Sequence, residues 1–222
     1  MNDLGHFWAA DAGRRGEPGF ALGLVLPDLT REVAPRARFT GAWLDGQNEI
    51  GLERVVEGVR EHLRHDDVWH DLEWFGERRR EARRAMELVG LSGRGLRLFF
   101  LDHVLVELTF DHVLLGSVAG LAEEYHRALL GSDVARAAML ARRLPGEPEL
   151  EERLRRYVTR PRVFYYAEAE GVVEALARVA VRARLRSLTD DERERVLGVT
   201  REVAETMRAT LGAVEGCLRD GV

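Results

Sequence analysis

The stretch LERVVEGVREHLRHDDVWHDL, residues 52–72, decides the fold class. Leu52, Val55, Val56, Val59 and Leu63 recur at intervals of three and four. That spacing lines one face of an α-helix and cannot line one face of a strand. His62, Asp66 and His70 recur every four residues on a second stripe, drifting about 40° per step. One stripe is apolar and faces a core, while the other carries ionisable groups one turn apart.

The same spacing extends in both directions. Residues 96–121 form the most apolar run, with Leu96, Phe99, Phe100, Leu105 and Val106 covering most sides of a helix, which predicts a central, buried element. Residues 135–142, 150–157, 171–186 and 190–218 read as further helices. Thr189, followed by Asp190, Asp191 and Glu192, is a helix start: a capping hydroxyl with acids in the first turn. No segment alternates with a period of two, apart from the short, ambiguous run 162–166. The fold class expected is all-α, a multi-helix bundle. Turns are expected at 13–19, Pro27, Pro35, 41–47, 91–95 and 145–148. The PGEP of 145–148 marks the best boundary, so one helical domain over 1–222 is expected. Its metal-site core is 1–144, and its C-terminal helical part, 149–222, packs on that core.

Composition narrows the function classes. The 222 residues are 45% hydrophobic and 32% charged, as in a globular chain. The net charge of −5 argues against a nucleic-acid partner. All 33 basic residues are arginine, so lysine chemistry such as Schiff-base formation is excluded. The single cysteine, Cys217, cannot form an intrachain disulfide and is expected to pack as a small apolar residue. MNDLGHFW lacks the basic start of a signal peptide, and residues 96–121 carry too many ionisable groups for a membrane span; a cytoplasmic location is expected.

Three of the seven histidines, His62, His65 and His70, lie within nine residues. Imidazole and carboxylate groups one helical turn apart can close on one cation such as zinc, manganese or iron. His65 and Asp67 fall off the stripe and are expected at the surface or behind the ligands. A second motif, His103-x-x-x-Glu107, lies in the apolar run. A buried carboxylate there needs an arginine, a hydrogen-bond network or a metal. Asp102 and His112 point elsewhere and are expected to hold arginines or cap loops. His6 follows the first apolar residues, and Asp28 follows an apolar stretch in which Pro27 disfavours helix for Leu26. Asp28 is therefore either a helix cap or a ligand on a fixed loop.

Together these residues resemble the acyl-carrier-protein phosphodiesterase family, helical proteins related to the HD-type phosphohydrolases. The opening MNDLGH is similar to that family's Met-Asn-x-Leu-x-His start, which places Asn2 and His6. GLVLPDL (23–29) is similar to its glycine-led segment and places Asp28. Residues 58–70 are similar to its helix with a histidine and then an aspartate, which places His62 and Asp66. The late Asp-His helix falls on Asp102 and His103. The resemblance covers roughly residues 1–115. Where that family has Thr-Asp-x-His-Pro, this chain has Trp69-His70-Asp71-Leu72. The pair His62-x-x-x-Asp66 and His103-x-x-x-Glu107 is also similar to the helical zinc-dependent phospholipases C.

The resemblance implies a metal-dependent hydrolase of phosphodiester or phosphomonoester bonds, using water activated by one or two divalent ions of manganese, zinc or iron. The expected metal ligands are His6, Asp28, His62, Asp66, His70, His103 and Glu107. Asp66, His70 and His65 are the expected catalytic groups: Asp66, or else Asp28, as a bridging ligand, and His65 or His70, where not ligated, as proton donor. A small-molecule or carrier-protein-linked phosphate ester is the implied substrate, and the arginine-rich run ERRREARR (77–84) is either a solvated helix face or a docking patch for an acidic partner. The alternative is a non-catalytic bundle whose metal site is structural and whose core binds a partner or small ligand.

Overall fold

The computed structural model describes residues 2–34, 36–47, 50–91, 95–143 and 150–220, with the side chains of Val33, Arg219 and Asp220 outside the description. Among the described residues every regular element is helical, as the spacing predicts. The chain divides into two compact units. One comprises Met1–Asn2, Trp69–Ala119 and Val163–Val222; the other comprises Asp3–Val68 and Gly120–Arg162. We call them unit 1 and unit 2. The PGEP segment, expected as a boundary, lies outside the described residues.

Unit 2 is organised around α3 (Pro18–Val33), against which α1 (Asp3–Ala9), α2 (Ala12–Arg15), α8 (Leu121–Leu130), α9 (Val134–Arg142) and α10 (Leu150–Thr159) all pack. The unit also holds the short α4 (Gly41–Asp45) and α5 (Glu53–Asp71) as far as Val68. Phe20, Leu22, Leu24, Leu26 and Leu29 of α3 are buried. Their burial outweighs the lost hydrogen bond and steric cost of Pro27, about 3 kcal/mol in a helix interior. The turn expected at Pro27 is therefore absent, and α3 runs straight through it. Two other expected turns are partly helical. Thr40 caps the N-terminus of α4 through the Trp43 amide, so 41–45 is a helix. Asp11 caps α2 through the Gly13 amide.

A buried polar network holds α1 in unit 2. Asp3 accepts from the Tyr157 hydroxyl at 2.7 Å and from Arg162 Nε at 2.9 Å. Tyr157 is in turn within 2.5 Å of the Tyr125 hydroxyl, and Arg162 also pairs with Glu32. The network joins α1 to α3, α8 and α10, and a carboxylate so fully partnered tolerates its burial.

Unit 1 is organised around α7 (Leu98–Ser117), which packs on α6 (Glu73–Leu88), α11 (Ala169–Arg182) and α12 (Asp190–Asp220). The helix expected to be central is central, although its first turn is open and Phe99 is exposed. The ambiguous run 162–166 is a 3-10 turn, Arg162–Ala167. Thr189 and Glu192 form a reciprocal capping box at the start of α12. The Glu192 amide donates to Thr189 Oγ1 at 3.2 Å, and the Thr189 amide to Glu192 at 2.9 Å. Cys217, expected to pack as an apolar residue, is exposed on α12. No single described helix is long and apolar enough to cross a membrane.

Candidate metal centre

The first group of expected ligands lies in unit 2. His6 comes from α1, Asp28 from α3, and His62 and Asp66 from successive turns of α5. Asp28 is thus held by a helix, not by the fixed loop that Pro27 suggested. Two glycines bring α3 and α5 together. The Gly23 and Gly58 backbones approach so closely that a Cβ on Gly58 would stand 2.2 Å from the Phe20 carbonyl oxygen, and one on Gly23 would stand 2.3 Å from that of Val55. One helical turn beyond this contact, the His62 ring reaches back to α3. The Leu24 carbonyl accepts from His62 Nδ1 at 2.7 Å.

That bond decides the tautomer. A carbonyl only accepts, so Nδ1 carries the proton, and in neutral His62 the lone pair is on Nε2. His62 Nε2 is buried and makes no hydrogen bond among the described residues. It stands 3.4 Å from Asp66 Oδ2 and 4.0 Å from Asp28 Oδ1. His6 Nε2 lies 3.3 Å from Asp66 Oδ1. His6, Asp28 and His62 each offer a ligand atom, all within 4.8 Å of one another. The His6 and His62 rings stack with centroids 3.9 Å apart.

Electron-rich atoms gathered this closely call for a positive charge between them. Burial holds His6 well below the usual imidazole range, assisted by His62, so His6 is neutral and in ligand form. Burial opposes charge on His62 too, but Asp28 and Asp66 overcome it and raise its pKa. Asp66 is ionised: burial would raise its carboxyl, but His6 and His62 hold it far below the ordinary range. Burial pushes the Asp28 carboxyl up. Two imidazoles and a carboxylate are donors that manganese, iron and zinc accept, so His6, Asp28 and His62 could hold such an ion, with Asp66 beside both imidazoles. His6 and His62 are sealed, with no exposed side-chain surface, whereas Asp66 and Asp28 keep 16% and 23%.

His65, expected at the surface or behind the ligands, is fully buried behind them. Its ring stacks on the far side of the group at 5.7 Å from His6, and its Nε2 is 3.2 Å from Glu61. The His65 contact and Arg64 hold Glu61 down to about 2 against its burial. The side chain expected to donate a proton thus has no exposed surface and stacks on His6.

The second group lies in unit 1: His70 at the end of α5, with His103 and Glu107 one turn apart on α7. Their ligand atoms also fall within 4.8 Å of one another. Asp102, beside this group in sequence and implied by the resemblance, is engaged elsewhere. It is fully buried and held by Arg79 Nε at 2.9 Å and by Arg83. His112 accepts no role at a metal: its Nδ1 is 2.8 Å from the Tyr166 carbonyl and its Nε2 3.1 Å from Arg208. Asn2, also implied by the resemblance, donates to buried Asp111 at 2.8 Å. The run 77–84 is not simply a solvated face or a patch. Arg79 and Arg83 clamp Asp102, and Arg78 is buried against the Trp74 ring, which leaves Arg80 and Arg84 exposed.

Sequence reasoning gave no packing role to Gly23 or Gly58 and passed over the Leu24 carbonyl and Glu61. Gly58 stands four residues before His62 on the ligand helix, a visible signal of close approach. The carbonyl leaves none. No protein-family model, curated protein or solved structure matches this chain.

Proposed function

We propose that the protein is a metal-dependent hydrolase of phosphate esters, with its centre at His6, Asp28, His62 and Asp66. The observation that supports this most is the His62 ring, whose Nδ1 is fixed by Leu24 so that its buried Nε2 is turned toward two carboxylates. A divalent cation bound there would polarise a phosphoryl oxygen and lower the pKa of a water molecule. The chain's own residues contribute the rest. Leu24 and the stacked His6 ring orient His62. Asp66 spans both imidazoles, and the exposed edges of Asp28 and Asp66 leave a side open to water and substrate.

The resemblance to the acyl-carrier-protein phosphodiesterases and HD-type phosphohydrolases supports the same class. It extends the proposal to a carrier-protein-linked phosphate ester as substrate. The sealing of both histidines favours the second reading, a structural metal site in a non-catalytic bundle, because structural sites are closed. Access through the carboxylates favours catalysis.

The test is metal analysis of the purified protein, then hydrolysis of a chromogenic phosphodiester and phosphomonoester with manganese, zinc, iron or magnesium. Asp66→Ala should reduce the rate by orders of magnitude while circular dichroism shows the helices intact. Wild-type protein that binds metal but cleaves neither ester with any of these ions would favour the structural reading. Full activity in Asp66→Ala would displace the centre.

A further inference from the structure

We propose that His70, His103 and Glu107 of unit 1 form a three-ligand site of their own for a zinc-class divalent cation, with a fourth position facing solvent. The three side chains come from two elements, the last turn of α5 and the second and third turns of α7. His103 Nε2 stands 3.1 Å from Glu107 Oε1, and His70 Nε2 stands 3.6 Å from the same oxygen. Two ligands each about 2.0–2.1 Å from a tetrahedral zinc ion are separated by roughly 3.3–3.4 Å. These two spacings bracket that value, and the third pair lies within 4.8 Å, so the three atoms can close on one ion.

The rings rest on an apolar floor. Buried Phe75 meets the His103 ring edge-on at 5.2 Å and the His70 ring at 5.5 Å. Phe75 in turn rests on Trp69, which contacts Phe110. Such packing restricts the imidazoles, so less entropy is lost when they close on an ion. The imidazoles are 41% and 30% exposed and Glu107 18%, so solvent and an ion can reach all three side chains. Two imidazoles with one carboxylate suit zinc, cobalt or nickel; magnesium and calcium prefer all-oxygen shells.

The test uses the full chain and does not depend on the hydrolase reading. In His62→Ala/Asp66→Ala, which removes two ligands from unit 2, titration with zinc and with cobalt(II) should retain one equivalent. Its cobalt spectrum should have the intense visible bands of a four-coordinate ion. Adding His103→Ala should abolish that equivalent. Glu107→Gln, nearly isosteric, should weaken it by about a hundredfold or more, since even residues that only orient a ligand are worth 10–100-fold. Circular dichroism checks that each variant is folded. No bound metal in folded His62→Ala/Asp66→Ala would overturn the proposal, as would an equivalent that survives both His103→Ala and Glu107→Gln. Failure of the unit 2 centre looks different: wild type and His62→Ala/Asp66→Ala would then bind the same single equivalent.

Discussion

Asp102 shows how single residues are settled in this molecule. Its carboxylate has no exposed surface, and the two guanidinium groups of Arg79 and Arg83 meet it from α6. Paired in this way, it costs little; stripped of its partners, it becomes an uncompensated buried charge. Arg79→Ala/Arg83→Ala is therefore expected to lower the unfolding free energy by about 3–5 kcal/mol. Urea denaturation measures it, and a loss below about 1 kcal/mol would mean that water or other groups already satisfy the carboxylate. His62 is the counterpart in unit 2. Its protein partner is a backbone carbonyl, and its other nitrogen is left facing two carboxylates.

Between elements, two features carry most of the consequence. The first is the close approach of α3 and α5 at Gly23 and Gly58. Because backbone atoms, not flexible side-chain ends, would meet a new Cβ, the helices must move apart. Gly58→Ala should then lengthen the His62–Leu24 bond and weaken metal binding at His6, Asp28 and His62, while leaving the His103 site unchanged. Calorimetric titration of Gly58→Ala in a His103→Ala background isolates the effect. Unchanged affinity would show that the glycines serve packing alone. The second feature is the capping box of α12. Thr189→Ala should cost about 1 kcal/mol. Glu192 is held down to about 2 from its ordinary 4.5, by Arg186 first, against burial, and then by Thr189. A lowered carboxylate pKa stabilises the fold above the unfolded-state value, and that contribution disappears as pH falls. The Glu192 contribution is thus complete above about pH 4.5 and fades between there and pH 2. Glu192→Gln should flatten the acid limb of the stability profile in that window and leave the neutral plateau lower.

At the scale of the whole molecule, a ligand that binds the folded chain alone must stabilise it by mass action. A metal at a hundredfold excess over its dissociation constant adds about 2.7 kcal/mol. For a chain of this length that is roughly 5–10 °C in the thermal midpoint. Scanning calorimetry with and without manganese should show such a rise, and Asp66→Ala in a His103→Ala background should remove it. A midpoint indifferent to manganese, zinc and iron would weigh against both metal centres. Two compact units, one built on α3 and one on α7, each contain a ligand group of their own.

Helical spacing made the bundle legible from the residues alone. Apolar positions three and four apart leave a strand no face to bury, so α5, α7 and α12 follow from local pattern. The capping hydroxyl of Thr189 was legible for the same reason: a cap is a contact within a few residues. The candidate ligand pairs were legible too, because His62 and Asp66, and His103 and Glu107, are one turn apart within single helices. Tertiary structure decided what local pattern could not. It carried α3 through Pro27, because burial of Leu24, Leu26 and Leu29 outweighs one lost hydrogen bond. It buried His65, and it chose Arg79 and Arg83 as the arginines that hold Asp102. It sorted seven expected ligands into two groups, since which side chains meet depends on helix crossings such as Gly23 against Gly58, far apart in the chain. It also set the His62 tautomer through a backbone carbonyl, a group that every residue carries and that no sequence pattern can distinguish.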